Sequence, residues 1–338
     1  MTNPAPARKN VLVTGGAGFI GSHLCEKLLS EGARVICLDN FSTSHEQNIN
    51  GLLQSPDFQF LRLDVNDPIN LELFAELAHF QIKFQGIQEI YHLACPTSIK
   101  KFDQFKMQTL LANSVGNRHI LDMATRYRSK VLLASSSVVY GARTAERQLY
   151  TEEVEGVLNH LSPRACYDEG KRFSETMFET YAQVHGLEIK IARLFRTYGP
   201  RMPLFDGHMI PDFVLNAIDN KDVVIYGDES FSTSLLYVTD SVDGLMRLMA
   251  SGPEVKVVNI GSDVDLKLSD VARQIIQKVG SSALVKFEAP LMFLTPLGLP
   301  SLVRAKESLG WLPLVRLEDG LRKTIEYVKA NKILLTTL

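Results

Sequence analysis

Val11-Leu12-Val13-Thr14-Gly15-Gly16-Ala17-Gly18-Phe19-Ile20-Gly21 is the stretch that decides the fold. A β-branched run enters a glycine-rich turn, and an amphipathic pattern over Phe19 to Ser30 follows at once, so the reading is strand, tight turn, helix. Gly16, Gly18 and Gly21 satisfy G-x-G-x-x-G, and Gly15, Gly18 and Gly21 satisfy the variant with two residues between successive glycines. Without side chains the backbone can turn tightly and approach a pyrophosphate, whose charge then sits on the helix amino terminus. Asp39 closes the next apolar run, 18 residues past Gly21, where a carboxylate would accept from the ribose 2′- and 3′-hydroxyls. No Arg or Lys follows Asp39 before residue 45, which favours NAD over NADP. Asp64, with Val65 beside it, follows the third apolar run. There it would contact the adenine or cap a helix, and both roles suit its place.

Working outward, short apolar runs alternate with helical patterns through the first 195 residues. Val11–Val13, Val35–Leu38, Phe58–Leu61, Glu89–Leu93, Val131–Leu133 and Ile189–Ala192 read as strands. Several are apolar throughout, which suits parallel strands covered on both faces. Phe19–Ser30, Gln104–Tyr127 and Arg164–His185 read as helices. This alternation predicts an α/β fold, a Rossmann-type doubly wound parallel sheet. Residues 8–198 form its dinucleotide-binding part, with segments near 235–262 returning to it. Residues 199–330 form a smaller, looser lobe, with helical patterns at Met209–Ile218, Thr239–Met249, Leu268–Val279 and Leu317–Lys329, that would bind substrate at the carboxyl edge of the sheet.

Composition excludes other classes. The 338 residues are 45% hydrophobic and 22% charged, as in ordinary globular proteins. Lys plus Arg (36) nearly balances Asp plus Glu (38), so neither nucleic acid nor an anionic membrane is an expected partner. The longest apolar stretch, Ala289 to Val303, is broken by Pro290, Pro296 and Pro300, so no bilayer span is expected. Cys25, Cys37, Cys95 and Cys166 fall at no metal-ligand spacing. No metal site, reduced thiols and a cytoplasmic location are the corresponding expectations.

Tyr167 and Lys171 stand four residues apart on a predicted helix and share one face. Such a pair gives a phenolate that removes a proton from a carbinol as hydride leaves. A phenol must come down from about 10 to about 7 to do so at neutrality, roughly 4 kcal/mol. A cation about 4–6 Å away and a positive nicotinamide ring have the right sign. Ser135-Ser136-Ser137 follows the strand at Val131 and lies at the edge where ligands of open α/β sheets bind. A hydroxyl there would hold the substrate oxygen against Tyr167.

Glycine loop, serine strand end and Tyr-x-x-x-Lys together resemble the extended short-chain dehydrogenase/reductases that remodel nucleotide sugars. The likeness covers roughly residues 9 to 330. Within that group it is strongest to the UDP-glucuronate decarboxylases (UDP-xylose synthases). It is carried by Leu38-Asp39-Asn40-Phe41, His92-Leu93-Ala94-Cys95-Pro96, Leu132-Leu133-Ala134-Ser135, Tyr198-Gly199-Pro200-Arg201-Met202 and, most specifically, Pro163-Arg164-Ala165-Cys166-Tyr167-Asp168-Glu169-Gly170-Lys171-Arg172. The resemblance implies Ser136 as the catalytic hydroxyl, Tyr167 as the base, Lys171 as its partner, and Asn113 as the helix asparagine. It implies NAD held by Gly15, Gly18, Phe19, Ile20, Gly21, Asp39, Asn40, Asp64, Val65, Leu93 and Ala94, with Tyr167 and Lys171. It also implies a UDP-sugar substrate oxidised at C4 to a 4-keto intermediate. A homodimer would form through the helices Gln104–Tyr127 and Arg164–His185, although Leu110, Leu111, Met177 and Phe178 would serve a monomer's core equally well.

The substrate side departs from the pattern. Val138 stands where the decarboxylases carry a glutamate, Thr233 where they carry a substrate-holding arginine, and Arg196 where they carry an asparagine. Apolar Gly298-Leu299-Pro300-Ser301 replaces a charged run. The expected substrate contacts are therefore Ser137, Arg196, Arg201 and Thr233, the two arginines serving either as replacement anion ligands or as structural ion pairs. Three functions are compatible: a decarboxylase, a C4 epimerase or 4-oxidoreductase that needs only Ser136, Tyr167, Lys171 and NAD, and a non-catalytic NAD-binding protein. The retained Ser136, Tyr167 and Lys171 speak against the third.

Overall fold

Seven parallel strands order themselves around the glycine stretch, in a computed structural model that describes residues 8–289 and 296–336. Pro290 of the interrupted apolar stretch lies outside the described residues. The first five strands are β1 (Asn10–Thr14), β2 (Arg34–Asp39), β3 (Phe58–Arg62), β4 (Glu89–His92) and β5 (Lys130–Ser136). The sheet runs β3-β2-β1-β4-β5 and continues with Ile189–Leu194 and Val257–Ile260. The chain moves from β1 outward to β3, then crosses back to place β4 on the other side of β1. That reversal opens a crevice at the carboxyl ends of β1 and β4, where ligands of such sheets bind. Thr14 there pairs with Leu38 on one side and His92 on the other.

Alternation within β1 shows why the strand is apolar throughout. Val11 and Val13 enter one core with Leu24, Leu28, Leu245 and Trp311, whereas Leu12 enters the opposite core with Ile36, Ile90, Leu133 and Phe178. Successive side chains point to opposite faces, and helices cover both. Helix α1 (Phe19–Ser30) lies in the first core through Leu24, Cys25 and Leu28. Each fully buried Leu or Val contributes about 1.5–3 kcal/mol over leaving it exposed.

A third core gathers Phe213, Val214, Val223, Ile225, Val271, Ile275, Leu321 and Ile325 beyond the sheet's carboxyl edge. It is tied to the sheet by the helix Val238–Ala250, whose Asp240 carboxylate accepts from the Leu314 and Val315 amides. The indole of buried Trp311 donates to the Asp240 carbonyl. The predicted helix at 104–127 is a composite: Phe102–Leu111, a π-helical turn at Ala112–Gly116, then Asn117–Tyr127. Among the described residues no helix is long and apolar enough to cross a membrane.

Candidate active site

The carboxyl edge of the sheet opens into a cavity of about 390 Å³, within the range of small-molecule sites. Its cofactor end is made from the glycine turn. Gly15 adopts φ +68, and a Cβ there would meet the Ala94 nitrogen and the Leu93 carbonyl carbon, each at 2.9 Å. A Cβ on Gly21 would overlap the Gly15 carbonyl oxygen. The amino end of α1 has Gly18 as its cap, no side-chain capping bond and no acidic residue in its first turn. The helix dipole therefore meets the cavity uncompensated, as a pyrophosphate site requires.

Asp39 ends β2 and is almost fully buried. It accepts from the Ala17 amide (3.0 Å), the Phe41 amide (2.9 Å) and the Ser44 hydroxyl (2.7 Å), so it fixes the glycine turn as well as bordering the cavity. Asn40 donates to Asp64 (2.8 Å), whose other oxygen accepts from the Asn66 amide. Phe19, Ile20, Val65, Leu93 and Ala94 also face this end. These residues fit a dinucleotide, since only glycines leave room for a backbone-hugging pyrophosphate and a carboxylate stands where the ribose would lie.

At the opposite wall three serines have three different tasks. Ser135 donates to Glu175 at 2.5 Å, a carboxylate also held by Arg193 at 2.7 Å, so it belongs to the scaffold. Ser136 caps the short 3-10 turn Ser137–Tyr140 and hydrogen-bonds the Tyr167 phenol. Ser137 is buried and lines the cavity beside Val138. The helix Ala165–His185 brings Tyr167 and Lys171 to the same wall. Lys171 donates to the Ala134 carbonyl at 3.0 Å, with Nζ 5.8 Å from the centre of the Tyr167 ring.

Burial pushes the Tyr167 phenol above its ordinary range, and Lys171, Arg164 and the Ser136 hydrogen bond pull it back. The expected downward shift is thus opposed in this structure, because desolvating a would-be phenolate outweighs the cations around it.

Behind the wall, a buried chain of hydrogen bonds joins the two ends. His92 is held neutral, its pKa brought down to about 3 by burial and the nearby Lys171. The Ala94 amide donates to Thr14 Oγ1, and Thr14 meets His92 Nδ1 at 2.7 Å. His92 Nε2 meets Asn117 Oδ1 at 2.9 Å, and Asn117 donates to Ser174 at 2.8 Å. Ser174, one turn past Lys171, shares its single hydroxyl proton between the Gly170 carbonyl at 2.8 Å and Asn113 Oδ1 at 3.0 Å. With Asn117 as acceptor, Nε2 carries the proton and Nδ1 accepts from Thr14. Asn113, inside the π turn, donates to the Thr109 carbonyl and to Cys95 Sγ.

Two of the expected substrate contacts do not reach the cavity. Thr233 is buried in a two-residue strand paired with Leu266, away from the lining. Arg201, at φ +66, turns back to pair with Glu26 of α1 at 2.6 Å, which makes it a structural ion pair. Arg196 does line the cavity, with Nη1 3.6 Å from Met209 Sδ.

Arg164 was not among the expected contacts. Its guanidinium lies 5.3 Å from the centre of the Tyr167 ring and its Nε donates to Asp168 at 2.8 Å. The spacing of three residues before Tyr167, at the start of the same helix, was the available signal. His208 was also missed. It lines the cavity with Nε2 3.5 Å from Asp206, whose carboxylate also accepts from Ser98.

The family model described as the NAD dependent epimerase/dehydratase family matches residues 11–261. UDP-glucuronic acid decarboxylase 1 of Xenopus tropicalis is 38% identical over 322 residues, 95% of this chain and 72% of that one. UDP-glucuronic acid decarboxylase 6 of Arabidopsis thaliana is 36% identical over 94% of this chain and 90% of its own. Among solved structures, UDP-glucose 4-epimerase of Thermotoga maritima with UDP-glucose superposes with a TM-score of 0.83 at 26% identity, covering 96% of this chain and 99% of that one. UDP-glucuronic acid 4-epimerase of Bacillus cereus, in complex with UDP-glucuronic acid and NAD, gives 0.81 at 25% identity, covering 95% and 99%. The chain belongs to the NAD dependent epimerase/dehydratase family of extended short-chain dehydrogenase/reductases; it is an enzyme, and its cofactor is NAD.

Proposed function

We propose that the protein oxidises C4 of a UDP-sugar, acts on the resulting 4-keto sugar and then reduces it, with UDP-glucuronate decarboxylation as the first reading. The observation that carries the proposal is the convergence on one cavity wall of Ser136, Tyr167 and Lys171, opposite a glycine turn shaped for a dinucleotide. NAD, when bound, supplies the hydride acceptor and, after oxidation, the hydride donor. Ser136 holds the C4 oxygen against Tyr167, and Tyr167 takes its proton while Lys171 and Arg164 offset the growing negative charge. The neutral His92 chain fixes the glycine-turn strand and the tyrosine helix relative to each other.

In a 4-keto uronate the carboxylate is β to the ketone. The C5–C6 bonding pair can therefore become the C4–C5 double bond of an enolate, with the carbonyl pair moving onto the C4 oxygen as CO2 departs, after which C5 takes a proton from water. That step asks no base of position 138, so Val138 is compatible with it. Rotation and return of the 4-keto sugar without loss of CO2, giving the C4 epimer, is the alternative and uses the same residues. Relatives named as UDP-glucuronic acid decarboxylases support the first reading, and structural neighbours named as 4-epimerases support the second. Incubation with UDP-glucuronate separates them: CO2 with UDP-xylose is expected, a UDP-hexuronate inverted at C4 would replace decarboxylation by epimerisation, and no turnover of any UDP-sugar would remove the proposal.

The same reading includes a homodimer. Met177 and Phe178 belong to the core, but Met107, Leu110, Leu111 and Val115 form an exposed apolar band on the π-interrupted helix, with Phe173 exposed on the tyrosine helix. Sedimentation at the dimer mass is expected, and a monomer mass would contradict it.

A further inference from the structure

Three consecutive residues at the end of β5 are held by the tyrosine helix Ala165–His185. The Ala134 carbonyl accepts from Lys171 at 3.0 Å, Ser135 donates to Glu175 at 2.5 Å, and Ser136 hydrogen-bonds the Tyr167 phenol. Tyr167, Lys171 and Glu175 follow one another at intervals of four residues, so they share one face of that helix. Glu175 does not line the cavity, but it is the centre of a network behind the wall. Arg193, in register with Ser135 on the strand Ile189–Leu194, donates to both carboxylate oxygens, Nε at 3.0 Å and Nη2 at 2.7 Å. The two side chains are each 14% exposed. Nη1 of the same guanidinium donates to Tyr140 Oη and to the Glu152 carbonyl, both at 2.9 Å. Tyr140 closes the 3-10 turn that Ser136 caps, and its Oη donates to Asn259 at 2.7 Å. One carboxylate thus holds the turn of Ser136 at both ends, through Ser135 before it and Arg193 beyond it.

From this arrangement we infer that Glu175 is a positioning residue for the proton transfer, acting through Ser135 and Arg193 to keep the Ser136 hydroxyl at the Tyr167 phenol. The inference rests on the C4-oxidation reading above. A hydroxyl that bridges a substrate oxygen and a phenol tolerates little drift, since a displacement of about 1 Å can cost about 100-fold in rate. Lys171 grips the strand at the Ala134 carbonyl, two residues short of Ser136. Fixing Ser136 therefore falls to its neighbour Ser135 and to the turn that follows. Bidentate, charge-assisted hydrogen bonds shielded from water suit that task, because they hold direction as well as distance. The role belongs to the C4 oxidation itself, so it applies whether the 4-keto sugar loses CO2 or is inverted.

Rapid mixing of the NAD-loaded full chain with UDP-glucuronate, followed by absorbance of the reduced nicotinamide, tests this role. Ser135→Ala deletes the hydroxyl but leaves the Glu175–Arg193 pair whole, so no buried charge is stranded. Cofactor reduction should slow by about 10- to 100-fold, with binding of NAD and UDP-glucuronate unchanged. The Ser136 hydrogen bond also draws the Tyr167 phenol down. Loosening it raises the phenol and should move the ascending limb of the pH–rate profile to higher pH. Glu175→Gln, which releases the Arg193 side, should give the same signature, and if that variant does not fold, Ser135→Ala decides alone. A Ser135→Ala protein that melts earlier but keeps its rate and its limb would leave Glu175 a structural ion pair and overturn the role. A loss confined to sugar affinity would overturn it equally. If the unmodified protein reduces no NAD with either UDP-glucuronate or UDP-glucose, the C4-oxidation reading itself fails and takes the role with it, whereas normal reduction in both the unmodified protein and Ser135→Ala sinks the role alone.

Discussion

The cofactor end of the cavity is built from backbone, and the sugar end from side chains. Around the glycine turn the decisive features are a left-handed Gly15, a Gly21 with no room for a Cβ, an uncapped helix end and one carboxylate fixed by two amides. Across the cavity the wall is lined by Ser136, Tyr167, Lys171, Arg164 and Arg196, whose positions depend on hydrogen bonds and on charges set against burial. Backbone geometry tolerates few sequences and binds one ligand. A wall of side chains can be re-specified one residue at a time, and here the glycine turn fits the pattern the family resemblance implies while Arg196, Val138 and Thr233 depart from it.

The contrast can be broken most severely at Gly21. Gly21→Ala sets a methyl group against backbone, with only backbone to yield, and NAD affinity should fall by more than about 100-fold, equivalent to roughly 3 kcal/mol. Fluorescence titration with NAD checks this, and retained affinity would mean the turn is looser than described. Lys171→Met should come next. It removes the strongest charge opposing burial of the Tyr167 phenol, so the phenol rises further and less phenolate exists at any given pH. Turnover near pH 7 should drop about 10²–10⁴-fold, and the ascending limb of the pH–rate profile should move to higher pH. A lower rate with an unmoved limb would assign Lys171 to binding alone.

The smallest effect sharpens the comparison between two arginines only five positions apart. Arg201→Ala breaks a partly exposed ion pair with Glu26, worth about 0–1 kcal/mol. It should shift the melting temperature slightly and leave sugar affinity unchanged. A loss of sugar affinity would make Arg201 a substrate contact despite its ion pair with Glu26.

How much of this was legible in the sequence follows the same division. The turn, α1, Asp39 and the apolar strands were readable because each is dictated locally, by missing side chains or by a run buried on both faces. Tyr167 and Lys171 were readable because helix spacing alone places them together. The π turn at Ala112–Gly116 was not, since no residue pattern marks the extra residue in a continuous helix. The burial of Thr233 in a short pairing with Leu266, outside the cavity lining, was not legible because it depends on the third core. Between the two roles left open for Arg201, its ion pair with Glu26 was not legible, because φ +66 turns it toward α1, a partner 175 residues away. Arg164 was hidden among the residues of the tyrosine motif, and its stacking over the ring appears only when the helix start is folded against the cavity.

Proton removal by Tyr167 is the claim on which the rest depends, and absorbance of the reduced nicotinamide tests it most directly. The NAD-loaded protein is mixed rapidly with UDP-glucuronate, alongside Tyr167→Phe loaded to the same extent. A burst of reduced cofactor is expected in the unmodified protein and a burst at least about 100-fold slower in Tyr167→Phe, with NAD still bound by both. Reduction at the same rate in both proteins would contradict it.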